Sequence, residues 1–336
     1  MKRHIKNLSN IVIVFLLCMG LGFATQNKIV INGIILVFII HWVLYIPANI
    51  FKTEKFYDLT GSLAYISVIS YILYSKTQSF GSGIGEIVIS LAIIIWSGRL
   101  GTFLFLRIKK DGEDKRFREY KKSWSKFLLA WTTSGMWVTI CSACAMTAVA
   151  SENIIELNIA FFTGLVLFII GFSIEIIADY QKTKFRSINE NKNKFITSGL
   201  WSKSRHPNYL GEIILWLGIS VMSFSNLEGL QYITLISPIF TYWLIVYISG
   251  VSMLEKSGQE KWGHLKEYQD YIKKTPKLLQ NQINWPICCF VNRETEFIEF
   301  FIYLDFSLIL PIESPEFKGI AKIYFFTYFS CPNFFY

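Results

Sequence analysis

The sequence predicts an all-α protein, a polytopic transmembrane helical bundle of about seven to eight spans. Three observations carry this. The chain of 336 residues is 52% hydrophobic and 17% charged, with mean hydropathy +0.39, whereas a soluble domain has about a quarter of its residues charged. Several apolar runs reach the ~20 residues that cross a bilayer as helix. The basic residues also fall on alternate connections, so that they gather on one membrane face.

In chain order, candidate spans lie at about 8–25, 29–50, 59–75, 84–106, 127–150, 154–178, 208–224 and 232–251. The third and seventh are short for a full crossing, and a re-entrant segment is the alternative for each. Lys2, Arg3 and Lys6 precede an apolar run from Ile11. Without a small-residue cleavage site after it, that run is expected to be a retained anchor, not a signal peptide. If the N-terminus is cytoplasmic, the segments 1–7, 51–58, 107–126, 179–207 and 252–282 are cytoplasmic and hold 27 of the 33 lysines and arginines. The opposite loops hold only Lys28 and Lys76. This is the positive-inside asymmetry. It also accounts for the net charge of +9 without nucleic acid as a partner. Six cysteines make no disulfide framework. Cys141 and Cys144 lie in an apolar segment at helical spacing, where packing outweighs metal or redox work. The organisation expected is an N-terminal transmembrane region at 1–50, a membrane core at 51–282 and an aromatic-rich tail at 283–336, to which no role is assigned.

Polar residues inside apolar spans are costly and mark sites. Arg99 is one, in Trp96-Ser97-Gly98-Arg99-Leu100, and calls for a partner or a polar cavity. The sixth span ends with Glu175, Asp179, Lys182 and Arg186 at spacings of four, three and four, a single polar stripe on a greasy helix. Pairing of the two acids with Lys182 and Arg186 is the simple explanation of that stripe. A polar pocket shared with Arg99 is the functional one. In Ser204-Arg205-His206-Pro207-Asn208-Tyr209-Leu210-Gly211-Glu212, Pro207 suits the first turn of a helix. The free N–H groups of that turn aim back at Arg205 and His206, which makes an anion corner; lipid headgroups are the competing occupant. Asn208 and Glu212 share the next helix face. Asp58 reads as a helix cap for the third span. Gly81-Ser82-Gly83-Ile84-Gly85 reads as a loop, since no strand precedes it and its spacing is not that of a dinucleotide fingerprint. Trp262, Leu265, Tyr268 and Ile272 recur at helical intervals, as on an interfacial helix or a lid.

These words, taken together, resemble the membrane proteins grouped with the steroid 5α-reductase C-terminal domain. The resemblance rests on Tyr57-Asp58-Leu59-Thr60-Gly61, Trp96 to Leu100, Gly112-Glu113-Asp114-x-Arg116-Phe117, Glu175-x-x-Ala178-Asp179-x-Gln181-Lys182-x-x-Phe185, Gly199-Leu200-Trp201, Ser204 to Glu212, and Ser249-Gly250 leading to Glu255. They cover roughly residues 45–280 in a shared order. The resemblance implies a membrane reductase that takes hydride from NADPH in a cytoplasm-facing cavity and receives a lipophilic substrate from the membrane. On matching positions, Glu175, Asp179, Arg186, Arg205, His206, Asn208 and Glu212 would be the cofactor-binding residues, with a phosphate group expected at Arg205 and His206. The acid and tyrosine that steroid reductases use toward an enone have no clear match; Tyr57 and Asp58 are the nearest candidates, so the catalytic residues stay unassigned. No metal is implied. Two other readings stay open. One is an S-adenosylmethionine-dependent membrane methyltransferase, since enzymes of that kind also carry an R-H-P-x-Y word before a helix. The other is a non-enzymatic lipid-binding membrane protein.

Overall fold

In the computed structural model Asn27 opens the second helix with its side chain, Oδ1 accepting from the Ile29 and Val30 N–H groups at 2.8 and 3.4 Å, and Asn158 does the same for the helix that starts at Ile159, accepting from the Phe161 N–H at 3.0 Å. The structure describes residues 2–279. The expected tail at 283–336 lies outside the described residues. Among them there is no strand. The helices are α1 (Lys2–Ala24), α2 (Lys28–Ile50), α3 (Tyr57–Phe80), α4 (Ile84–Asp111), the short α5 (Arg118–Lys121), α6 (Trp124–Ala150), α7 (Ile159–Ser187), α8 (Pro207–Phe224), α9 (Ile236–Trp243), α10 (Val251–Trp262) and α11 (Lys266–Lys274). Pro207 is the first residue of α8, as its missing N–H favours.

Six described segments are long and apolar enough to cross a membrane: Arg3–Ala24, Lys28–Ile50, Ile84–Asp111, Trp124–Ala150, Ile159–Ser187 and Gly229–Trp262. The third and seventh expected spans are helices α3 and α8 but are not among the six. Polar residues account for this: Asp58 and Lys76 in α3, Asn208 and Glu212 in α8. α3 is longer than expected, 24 residues or ~36 Å at the helical rise, so it runs the length of the bundle. Asp58 does not cap it. The capping position is Phe56, and Asp58 sits within the first turn. α7 starts five residues later than expected and runs on to Ser187, which carries the whole acidic and basic stripe on one helix. The last expected span is broken: a 3₁₀ turn at Gly229–Leu235, α9, a π turn at Leu244–Ser249, then α10.

α6 is the buried centre, and its share of buried residues is the largest of the six. Its second half is small: Cys141, Ala143, Cys144, Ala145, Ala148 and Ala150 are all buried, and small side chains let neighbouring helices close in. Outward faces carry Leu16, Leu17, Ile39, Ile95, Phe162 and Ile169, all exposed, as lipid contact demands. Lys76 is fully buried; its ammonium donates to the Glu152 carbonyl at 2.6 Å. Glu86 accepts from the Gly83 and Ile155 N–H groups, each at 3.0 Å. Lys76 and Glu86 thus staple the loop between α6 and α7 at the end of the bundle away from the basic segments.

α7 and α8 form the most extensive helix pair. Glycines set their separation. A Cβ on Gly171 would lie 2.6 Å from the Gly211 carbonyl oxygen, and one on Gly218 would lie 2.6 Å from that of Gly164. Residues 164 and 171 face 218 and 211, each pair two turns apart, so the backbones touch along both. This contact brings Glu175 against the turn of α8 that carries Asn208 and Glu212. Gly171→Val therefore forces the helices apart and should cost about 1–3 kcal/mol. It should lower the melting temperature of the detergent-purified protein, while Gly20→Ala, with nothing within 4 Å of the new methyl group and a better helix former in place, should not lower it.

Candidate functional site

One turn of α7 presents Glu175 and Asp179 to the same neighbour, Arg99 of α4. Arg99 Nη1 donates to Glu175 Oε1 at 2.6 Å and Nη2 to Asp179 Oδ2 at 2.5 Å. Trp96 Nε1 donates to the other Glu175 oxygen at 3.0 Å. Both acids are buried. The intramembrane arginine thus finds its partners across the bundle, on two helices that share little other contact. The stripe expected to neutralise itself does not do so. Lys182 lies over the Trp201 ring at 4.6 Å, and Arg186 is exposed at the end of α7, with Arg107 and Asp111 as its charged neighbours. Glu212 on α8 completes an acidic group. It is part-buried, has Glu175, Asp179 and Arg99 around it, and makes no hydrogen bond or ion pair among the described residues. Three carboxylates thus face one guanidinium, a set that suits a ligand rich in hydrogen-bond donors.

The loop from α7 to α8 is built to carry the His-Pro corner. Gly199 has φ +63°, and a Cβ there would strike the Gln181 amide. Glycine alone tolerates both. Gln181 Oε1 accepts from the Leu200 N–H at 3.0 Å, and Trp201 Nε1 donates to the Ala178 carbonyl at 3.1 Å. The chain then passes under the C-terminal segment: the Arg205 N–H donates to the Pro276 carbonyl at 2.9 Å and Tyr271 Oη to the Trp201 carbonyl at 2.6 Å. α10 and α11 are fixed on this loop by Phe195, which packs against Trp262, Tyr268 and Tyr271. Of the expected interfacial face, Tyr268 is buried and Leu265 exposed.

Glu255 of α10 holds the corner. His206 Nε2 donates to Glu255 Oε1 at 2.7 Å, and Arg205 Nη1 lies 3.0 Å from Oε2. That second approach is an ion pair without hydrogen-bond alignment. Arg205 Nε and Nη1, His206 Nδ1 and Asn208 Oδ1 are all buried without a hydrogen-bond partner. Burial keeps His206 below the ordinary imidazole range, against the opposing pull of Glu255. Apart from Nη1, which has its ion pair, three buried atoms on three neighbouring residues are left unpaired, which is unusual because each costs about 1–3 kcal/mol when left so.

Aromatic rings form the floor. Trp96, Trp216 and Tyr65 meet at centroid separations of 5.0 to 5.5 Å. Tyr65 Oη and Trp216 Nε1 are buried and unpartnered, and the tyrosine has Cys141 and Glu212 as neighbours. Tyr65, Trp216 and Glu255 went unassigned from sequence. The first two look like core aromatics on an apolar face; only their polar atoms, revealed as unpaired, mark them. Of the candidates Tyr57 and Asp58, Asp58 has Arg107 and Arg116 as charged neighbours, and Arg107 is also a charged neighbour of Asp179. Tyr57 Oη donates to the Ala130 carbonyl at 2.9 Å, and its ring packs on Phe117 and Trp131. Among the described residues no three or more His, Cys, Asp or Glu side chains are placed to hold a metal ion.

An all-helical membrane bundle with a buried carboxylate–guanidinium group beside a helix N-terminus defines the class. Within it, the chain belongs to a steroid 5α-reductase-like family: the family model described as "Protein of unknown function (DUF1295)" matches residues 44–275. Among curated relatives, the chain is 34% identical over 143 residues to a "Probable 7-dehydrocholesterol reductase" of Acanthamoeba polyphaga mimivirus, covering 37% of this chain and 30% of the relative. It is 28% identical over 119 residues to "3-oxo-5-alpha-steroid 4-dehydrogenase 1" of Mus musculus, covering 35% and 41%. It is 31% identical over 93 residues to a "Probable O-methyltransferase ustE" of Ustilaginoidea virens, covering 26% and 32%. The chain thus spans less than half the length of each. No solved structure matches.

Arg99→Met leaves two buried acids without their cation, a loss of about 3–5 kcal/mol for a broken buried pair. The melting temperature should fall sharply, and adding Glu175→Gln with Asp179→Asn should restore part of it. An unchanged melting temperature for Arg99→Met alone would show that the three charges carry no structural weight.

Proposed function

We propose that the protein is a membrane-embedded NADPH-dependent reductase that acts on a C=C bond of a lipophilic, steroid-, sterol- or isoprenoid-like substrate. The observation that carries this is the set of buried, unpaired polar atoms on Arg205, His206 and Asn208 beside the carboxylates of Glu175, Asp179 and Glu212. A dinucleotide fits such a set. Its hydroxyl and amide donors suit the acids, and its acceptor oxygens suit Arg205 and, at the mouth, Arg186. The names of the sterol and steroid reductase relatives support the same reading.

The bound cofactor would supply hydride from its nicotinamide. The rest falls to the chain. Arg99 holds Glu175 and Asp179 in one orientation. Tyr65 keeps a proton on its hydroxyl in an apolar, aromatic surround, beside Glu212, and is the group we assign to give that proton to the substrate. Trp96 and Trp216 keep water from that hydroxyl. The membrane face is assigned by the basic segments: the N-terminus and the loops at 107–126 and 179–207 cytoplasmic, so that cofactor arrives from the cytoplasm and substrate from the lipid. Reporter tags in those two loops should report the same side.

A methyltransferase using S-adenosylmethionine is the second reading, favoured by the O-methyltransferase relative. A lipid-binding protein without turnover is the third. Titration of the detergent-purified protein with NADPH, NADH and S-adenosylmethionine separates them, because a ligand at 100 times its Kd stabilises the fold by about 2.7 kcal/mol. NADPH should raise the melting temperature most. Asp179→Ala and Arg205→Ala should each weaken NADPH binding at least ~10-fold, as loss of a charged hydrogen bond does. Unchanged affinity in both folded variants would sink the site, and stabilisation by S-adenosylmethionine alone would move the activity to methyl transfer.

A further inference from the structure

The first turns of α1 and α6 meet at the end of the bundle that carries the basic loops. His4 Nδ1 and Ser125 Oγ are 2.8 Å apart, and Asn7 Nδ2 donates to the same hydroxyl at 2.9 Å. The His4 ring stacks on Trp124 at 5.5 Å. These contacts join residues 121 positions apart in the chain and bring two sets of cations together. Arg3 of α1 and Lys126 of α6 are both charged neighbours of Glu119. Lys6 is three residues on from Arg3 and shares its helix face. The carboxylates nearby already have partners. Glu119 pairs with Lys122 at 2.5 Å and Glu54 with Lys121 at 2.6 Å, while Glu113 holds Arg118 and Asp114 holds Arg116. Among the described residues Arg3, Lys6 and Lys126 form no ion pair; Lys126 lies over the Tyr120 ring at 4.6 Å.

Charges of one sign repel when they are gathered without a counter-charge. Membrane topology explains why lysine and arginine favour this end of the bundle. It does not explain why three of them collect at a seam whose acids are already paired. The surface that runs on from the seam is apolar. Lys6, Asn10, Ile13 and Leu17 succeed one another at intervals of four, three and four on one face of α1, and Ile13 and Leu17 are 51% and 65% exposed. From Lys6 to Leu17 the helix rises ~16 Å, about one leaflet of a ~30 Å hydrocarbon core. Trp124, 45% exposed beside the cations, is the residue type that sits at headgroup level. We propose that the seam of α1 and α6 binds an anionic phospholipid, with its phosphate at Arg3, Lys6 and Lys126 and an acyl chain along Ile13 and Leu17. A zwitterionic lipid brings its own cation with the phosphate and leaves the three charges uncompensated. The anionic lipid supplies the missing counter-charge and ties the first helix of the chain to the central one. This site is separate from the carboxylate–guanidinium group and does not depend on the reductase reading.

The test titrates lipids onto the detergent-purified full chain and reads bound lipid by native mass spectrometry, with the melting temperature alongside. Phosphatidylglycerol and phosphatidylcholine are the two lipid probes, and glycerol 3-phosphate carries the headgroup charge without acyl chains. Wild type should bind phosphatidylglycerol at least ~10-fold more tightly than phosphatidylcholine, and the former should raise its melting temperature. Lys6→Gln with Lys126→Gln should remove most of that preference, about fivefold for each lysine. Lys109→Gln with Lys110→Gln is the control: both lysines are exposed in the last turn of α4, and their loss removes the same charge from the same end of the bundle. It should leave the preference unchanged. Equal loss in the two double variants overturns the site, because it reduces the effect to a general attraction of anionic lipid to a basic face. Equal affinity of wild type for the two lipids overturns it as well, and that comparison needs no variant to fold. Stabilisation by glycerol 3-phosphate as large as that by phosphatidylglycerol would return the seam to a free phosphate and sink the lipid assignment.

Discussion

A guanidinium held between two buried carboxylates in an apolar bundle is the constraint on which the site depends. None of the three charges is tolerable alone in such surroundings. Arg99 on α4 must meet Glu175 and Asp179 on α7, so the rotation of both helices about their axes is fixed. Trp96, three residues before Arg99, follows onto the free Glu175 oxygen and brings the aromatic floor with it. The ion group ties together helices that otherwise have little contact, and it forms the wall from which Glu212 takes its electrostatic environment.

Close backbone approach is the second constraint. The Gly171–Gly211 and Gly164–Gly218 contacts leave no side-chain layer between α7 and α8, so the polar residues of the two helices are set by backbone geometry. Such a joint is stiff because close-packed interiors resist deformation. At the end of the bundle that carries the basic loops, stiffness comes from hydrogen bonds instead. The loop carrying Gly199, Trp201 and Arg205 is bonded on one side to α7 and on the other to the segment after α11.

The fold was legible because hydropathy and the placement of lysine and arginine are one-dimensional signals, which survive without any knowledge of contacts. The acidic stripe was legible for a similar reason: helical period alone puts Glu175 and Asp179 on one face. Their counter-ion was not. Local spacing pointed to Lys182 and Arg186, yet Arg99, some eighty residues away, lies where the carboxylates are buried, while Lys182 turns to Trp201. α3 seemed too short because its polar ends, Asp58 and Lys76, break the apolar run while the helix itself continues. Tyr65 and Trp216 were illegible in principle, since an aromatic residue on an apolar face gives one signal whether or not its polar atom has a partner. Glu255 was visible only as the end of a word, because its contact with the corner passes through irregular backbone.

That irregular backbone, the π turn at Leu244–Ser249 followed by Gly250, has a consequence for register. A π turn accommodates one residue more than the α-helix it interrupts. Gly250 lies so close to the Ile245 carbonyl and the Tyr209 ring that a side chain has no room. Removing one residue from this stretch would restore a regular helix and would rotate everything after it by about 100°. Glu255 would then face away from Arg205 and His206, and the histidine would lose the partner that fixes its tautomer. The aim of a carboxylate at the corner is thus encoded in a single surplus residue within an apolar run, where substitutions among aliphatic side chains would pass unnoticed and a deletion would not.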